Sequence, residues 1–414
     1  MKTKGKVLFQ VVIMMFCIAG LLSLSQVANA AKFVVNSTDD AVDANTADGI
    51  CETAPGNGVC TLRAAIQQAN ALAGPDKIVL KAKKYILTLT GSGEDAAATG
   101  DLDITDSATI VGAGSAYSIV DGNHSDRVFH VMGSSTITVK FIALTVQNGY
   151  VNLELGGGGI FNQNATATVA IDLCSVKNNM AFGPYGGGIL NLGTLNVITS
   201  VIAQNSVYNV DSGYSLGGGI SNNGPSGILT IFGSNIYENI SSAAIVAAAG
   251  QDPEAGGGGV SSYLANTLTI TNTKIMNNNT VSYRTGGYGS TGAGLFIFGD
   301  TNPATIKSTK ILKNKSTGNL NLGGGVLVAN SSATFSGCVI SGNAASGITA
   351  YGGGFCLVGI SPMAVTIDKF SKVTNNYAGI NGGGIYINGT LTLNISANSV
   401  VADNTVDDIY PPLP

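Results

Sequence analysis

Apolar residues along this chain fall in short alternating runs, and the runs return at a nearly constant interval. Leu229-Thr230-Ile231, Leu268-Thr269-Ile270 and Leu391-Thr392-Leu393 are period-2 segments, the signature of strands with one face buried. After each run comes [Ser/Thr/Cys]-x-[Ile/Val]-x-x-Asn, eight times from Cys174–Asn179 to Ser399–Asn404. A glycine segment completes the unit. It is first met as Gly157-Gly158-Gly159-Ile160, and its apolar residue recurs at 189, 220, 260, 295, 326, 355 and 385. The spacings are 29, 31, 40, 35, 31, 29 and 30 residues, a period that marks stacked supersecondary units.

Three short β segments per repeat cannot bury a face alone, whereas stacking repeat on repeat gives a continuous core. Hairpin turns between the segments are missing, and the same element returns at constant phase. The fold expected is therefore all-β, a right-handed parallel β-helix with three-strand rungs over residues 91–410. Less regular rungs at Ala108–Val111, Ser118–Asp121, Val128–Val131 and Thr136–Val139 bring the count to ten or eleven coils.

Phase assigns the side chains. The Ser/Thr/Cys and Ile/Val positions stand two apart and point inward, leaving Lys274, Lys310 and Lys372 pointing out. The closing Asn lies where the chain turns, and Asn tolerates the left-handed region there. Stacked copies would share amide hydrogen bonds along the axis, as Asn ladders do. Glycine in the third segment is read as scaffold for a close turn and for stacking.

Residues 31–90 break the pattern. Leu62, Ala65, Ile66, Ala69 and Leu72 recur at helical spacing, Thr61 is an N-cap, and Gly74-Pro75 stops the helix. Upstream, Asp39, Asp40, Asp43 and Asp48 lie within ten residues. Four carboxylates suit a hard cation such as Ca²⁺, but no calcium-loop motif accompanies them, so a solvated acidic turn is expected. Asp101, Asp103 and Asp106 are read in the same way, as carboxylates on the solvent face of a strand. No metal and no cofactor is expected.

Lys2, Lys4 and Lys6 precede the apolar run Val11–Leu24 and the small-x-small site Ala28-Asn29-Ala30. This predicts a signal peptide at residues 1–30 and a secreted or surface location. Removing those three Lys from 20 basic residues leaves 17 against 24 acidic, a formal charge of −7. With Arg present only at 63, 127 and 284, nucleic-acid binding is excluded. Export permits a disulfide between Cys51 and Cys60. Cys174, Cys338 and Cys356 read as small buried residues. Residues 411–414 form a Pro-rich tail.

Asp48-Gly49-Ile50-Cys51 with Cys60-Thr61-Leu62-Arg63-Ala64-Ala65-Ile66 and Ala69-Asn70 resembles the CSLREA domain, as do Gly100–Ile104, Asp121-Gly122-Asn123 and Asp126–Phe129. That resemblance implies a capping module at the head of an exported β-helix. One departure is Ala64, where the family has Glu, which leaves half of a capping box. The Gly-Gly-Gly-Ile and Ile-x-x-Asn repeats are also similar to those of polymorphic outer membrane proteins, which implies an adhesin-like rod.

The stretch between the Asn and the next glycine segment varies in length, so insertions gather on one side of the rod, where binding surfaces develop. Tyr208, Tyr214, Tyr283 and Tyr288 lie there and form the candidate ligand-binding set, since tyrosine offers an apolar body and a polar tip to a sugar. Between residues 155 and 400 the few carboxylates form no stacked pair across adjacent rungs, and His124 and His130 read as structural. No catalytic residue is assigned. The function expected is a non-catalytic surface or extracellular interaction protein with a carbohydrate or cell-surface partner. The alternative is a polysaccharide lyase or glycoside hydrolase of the pectate-lyase-like type.

Overall fold

The structure, a computed structural model, describes residues 30–152, 155–209, 213–243, 254–282, 289–359 and 363–411. The expected signal peptide, Tyr283 and Tyr288, and most of the Pro-rich tail lie outside these residues. Three long sheets, one of twelve strands and two of eleven, run along the chain from the first coils, a further eleven-stranded sheet begins at Tyr150–Asn152, and neighbouring strands pair in parallel (Thr168–Asp172 with both Thr138–Ile142 and Thr194–Ile198, for example). The expected parallel β-helix is the fold. Among the described residues the single helix is Leu62–Ala71, and no helix is long and apolar enough to cross a membrane.

One coil shows the construction. Thr138–Ile142, Thr145–Gln147, Tyr150–Asn152 and Ile160–Asn162 contribute in turn to the first, second, third and fourth sheets. From Tyr150 onward a strand of the third sheet is added, so these coils carry four strands or more where the repeat pattern predicts three, while the two coils before them carry three. The extra segment follows the Asn, as in Met180–Phe182 and Ser206–Asn209. Its inward residues are small or polar (Ala181, Val207, Ser241, Thr280), too short and mixed an alternation to mark a strand by itself. The insertions fall between this segment and the glycines, on the flank of the third sheet.

The core is a set of columns. From Val146 to Val373 the inward Ile/Val of the second sheet are fully buried and stacked in register. Each such side chain contributes about 1.5–3 kcal/mol, more than the roughly 1 kcal/mol net of a hydrogen bond. Lys274, Lys310 and Lys372 between them are exposed.

Polar ladders fix the register. Asn205 Nδ2 donates to Asn239 Oδ1 at 3.0 Å, Asn239 to Asn278 at 3.0 Å and Asn278 to Asn314 at 3.0 Å. The series starts at Asn179 and runs on through Asn343 and Asn376 to Asn404, whose amide meets Asp408 Oδ1 at 2.9 Å. The left-handed residue is not the Asn but its predecessor, such as Gln204 at φ 56° or Glu238 at φ 56°. That frees the Asn side chain to turn inward. Asn162, Asn191, Asn222 and Ser262 build a second ladder that ends on Asp300.

The glycine segment has two roles. Gly157 has φ 75°, a left-handed turn that glycine enters without penalty. At Gly159 a Cβ would stand 2.7 Å from the Gly188 carbonyl and 2.9 Å from the Asn179 amide, so neighbouring coils could not close.

At the head, Lys32–Val34 pairs with Asp76–Val79, so stacking begins inside the capping module. Thr61 Oγ1 accepts the Ala64 N–H at 3.1 Å, and Cys51 and Cys60 are disulfide-bonded. The acidic loop is a solvated turn only in part: Asp39 and Asp48 are exposed, but Asp40 and Asp43 are not. Asp40 takes the N–H groups of Thr88 and Leu89 and pairs with the buried Arg63, while Asp43 accepts from Gln68 and from the N–H groups of Asn45 and Glu52. These carboxylates are spent on tying the loop to the helix and the first coil.

Candidate functional site

The glycine triplets have no counterpart in the first coils, and there the fourth sheet changes character. Leu102, Phe129 and Ile160 stack inward, so by alternation Asp103, His130 and Phe161, which are also in register, stand on the opposite face. A loop at 91–100 folds over them, held by Arg63, which donates to the carbonyls of Ala97 (3.1 Å), Gly100 (2.8 Å) and Asp101 (3.2 Å). Asp101 and Asp103 are therefore buried, at 4% and 0% exposure, not on a solvent face. The covering loop and the next two coils supply the burial.

The groups in this column are tightly connected. The rings of His130 and Phe161 lie 5.1 Å apart and parallel to within 2°. His130 Nδ1 is 3.3 Å from Asp103 Oδ1, and its Nε2 is 2.6 Å from Gln163 Oε1. Asp103 Oδ2 accepts the Ala97 N–H at 2.8 Å. Arg127 reaches Asp101 at 3.1 Å, with its guanidinium carbon 5.5 Å from the centre of the Phe161 ring. Burial pushes the Asp101 carboxyl up to about 7, against the pull of Arg127 and with the push of Asp103.

An open cleft of about 870 Å³ runs over these residues, within the roughly 300–1,000 Å³ of ligand sites. Its lining combines Glu94, Asp95, Asp101, Arg127 and Gln163 with the apolar Leu155, Phe161 and Phe182. His130, read from sequence as structural, lines it too. The signal that could have found it is the period itself. Counting back from Ile160 by the pairing register reaches Phe129 and then Leu102, which puts Asp103, His130 and Phe161 in one column.

Of the four candidate tyrosines, the two among the described residues lie in different places. Tyr208 is half-buried on the third sheet, its ring 5.2 Å from Phe182 on the coil before, and so adjoins the cleft. Tyr214 lies elsewhere, 6.1 Å from Tyr263 beside a cavity of about 140 Å³ that Glu254 and Phe298 also line. There burial pushes the Glu254 carboxyl up to about 7. That cavity is well below the usual size of a ligand site. Tyr283 and Tyr288 lie outside the described residues.

No family model matches the chain, and no curated protein matches it. Among solved structures, the A-module of the Azotobacter vinelandii mannuronan C-5 epimerase AlgE6 aligns over 92% of this chain and 100% of its own length, at 14% identity and a TM-score of 0.30.

Proposed function

We propose that this protein is an exported β-helical rod that binds a glycan in the cleft between the 91–100 loop and the flank formed by Phe161, Phe182 and Tyr208. The observation that carries this reading is the mixed lining. Phe182 and an exposed Leu155 line the same open cleft of about 870 Å³ as carboxylates, a guanidinium and Gln163. Sugars present alternating C–H faces and hydroxyls, so they need apolar platforms and hydrogen-bonding groups together. Export rests on the basic, apolar and small-residue leader at 1–30.

Charge narrows the class. Glu94, Asp95 and Asp101 face the cleft, and its one arginine is already paired with Asp101. A polyuronate would meet like charge there. The ligand class is therefore a neutral or amine-bearing glycan.

A glycan array probed with the purified protein, followed by calorimetric titration, tests this. Neutral or amino-sugar oligosaccharides are expected to be retained over polyuronates. Phe182→Ala or Tyr208→Ala should each weaken binding about two- to tenfold, the loss of one aromatic contact of roughly 0.5–1.5 kcal/mol. Absence of any glycan binding, or binding indifferent to both substitutions, overturns the reading. Product release from a bound polysaccharide that stops in Asp101→Asn would replace it with an enzymatic one.

A further inference from the structure

We infer that Asp95, Asp103 and His130 form a binding site for a first-row divalent cation of the Zn²⁺ class, with its remaining coordination open to the cleft. The site stands on the geometry of these residues, whatever the cleft binds. One ligand atom from each of the three lies within 4.8 Å of the others. Proximity of acidic groups alone would not make a site; the hydrogen bonds around them do.

Gln163 Oε1 lies 2.6 Å from His130 Nε2. A carbonyl oxygen only accepts, so Nε2 carries a proton; when that is the ring's one proton, the lone pair of Nδ1 is turned towards Asp103. At 3.3 Å it meets Asp103 Oδ1. That oxygen is buried and has no hydrogen-bond partner, while its twin Oδ2 is occupied by the Ala97 N–H. In that tautomer two lone pairs face each other inside the protein, an arrangement that costs free energy unless something positive, a proton or a cation, bridges it.

A metal ion does so with the right dimensions. Tetrahedral ligands at about 2.0–2.2 Å from a metal stand about 3.3–3.6 Å from each other, and His130 Nδ1 and Asp103 Oδ1 are 3.3 Å apart. The supporting contacts are those that metal-ligating histidines and carboxylates use. Gln163 takes the second ring N–H and the Ala97 amide holds the second carboxylate oxygen, so both ligands are oriented before an ion arrives. Asp95, on the exposed loop, closes the third position. An imidazole with two carboxylates selects Zn²⁺ and its neighbours over Ca²⁺ and Mg²⁺, which take oxygen shells. Glu94 and Asp101 add negative charge nearby. The opposing Arg127 is held on Asp101 and over Phe161, so the local balance still favours a cation.

The test is equilibrium dialysis of the purified, untagged full chain against Zn²⁺, Co²⁺ and Ca²⁺, with bound metal measured by mass spectrometry. One equivalent of Zn²⁺ or Co²⁺ is expected, with Ca²⁺ failing to displace it and tetrahedral absorption bands in the Co²⁺ form. Asp95→Asn and Gln163→Leu change exposed residues and should leave the circular dichroism spectrum unchanged while weakening binding about 10- to 100-fold. Asp103→Asn should abolish binding, and if it fails to fold the two surface variants decide. Failure of the folded wild-type chain to take up one equivalent overturns the site and leaves a plain imidazolium–carboxylate pair. Uptake unaffected by Asp95→Asn and Gln163→Leu also overturns it, as metal held elsewhere.

Discussion

The Arg63 guanidinium meets the Asp40 carboxylate at 2.6 Å, and the two side chains are 0% and 2% exposed. The pair joins the helix to the acidic loop, and the remaining Arg63 donors hold three carbonyls of the loop that covers the cleft. One side chain thus ties the cap to the candidate site. Removing one partner of a buried pair leaves the other charge uncompensated, at a cost of about 3–5 kcal/mol. Arg63→Met is expected to lose that much in chemical denaturation and to weaken ligand binding in the cleft. A change under 1 kcal/mol with binding intact would show that the loop is held by other contacts.

The Asn ladder should be most sensitive at its centre. Asn278 accepts from the backbone and side-chain N–H of Asn239 and donates to Ile236 O and Asn314 Oδ1. Asn278→Ala strands several buried groups, each costing about 1–3 kcal/mol. Asn404→Ala, at the partly exposed end, should cost about 1 kcal/mol. Equal losses in thermal unfolding would count against the ladder as the register device.

Asp300 sets a pH dependence. Burial pushes its carboxyl up to about 6, despite hydrogen bonds from Ser262 Oγ at 2.6 Å and the Ala265 N–H at 3.1 Å. The folded chain then holds this proton more tightly than the unfolded chain. The stabilisation is complete below about pH 4 and is lost as pH rises through 6, on the order of 2–3 kcal/mol. Asp300→Asn should flatten that part of the stability profile, measured as the wild-type-minus-variant difference between pH 4 and pH 7.

Cys174 and Cys338 are buried, and burial pushes their thiols up to about 12 and about 11. Cys356 is fully buried and shifted in the same direction. Thiolate is the reactive form, so maleimide labelling followed by peptide mapping should find these three unmodified until denaturant is added. Rapid labelling of any one in the native protein would place it on an opened surface.

Much of the scaffold was legible because it repeats. Eight copies of Ser-x-Ile-x-x-Asn expose a phase that no single copy could, and the inward columns from Val146 to Val373 follow from it. The fourth strand was hidden because Ala181, Ser241 and Thr280 look like loop residues. The cleft was hidden for a different reason. Asp103, His130 and Phe161 belong to one column only through pairing across coils, and the first coils carry no glycine triplet to signal the register. The acidic loop misled because composition cannot tell a carboxylate facing water from one holding backbone N–H groups, as Asp40 and Asp43 do.

Every amide in the main ladder points the same way, its Nδ2 donating to the next coil towards the C-terminus, and the last donates to Asp408. The shorter ladder likewise ends on a carboxylate, that of Asp300. Such a group receives the last donor of the series, the Asn404 amide or the Ser262 hydroxyl, but when ionised has no donor of its own to offer onward. The main ladder therefore has a direction and closes at Asp408, yet strands stack on well past Asp300, so a carboxylate ends a run of side-chain hydrogen bonds while backbone pairing carries the coils onward.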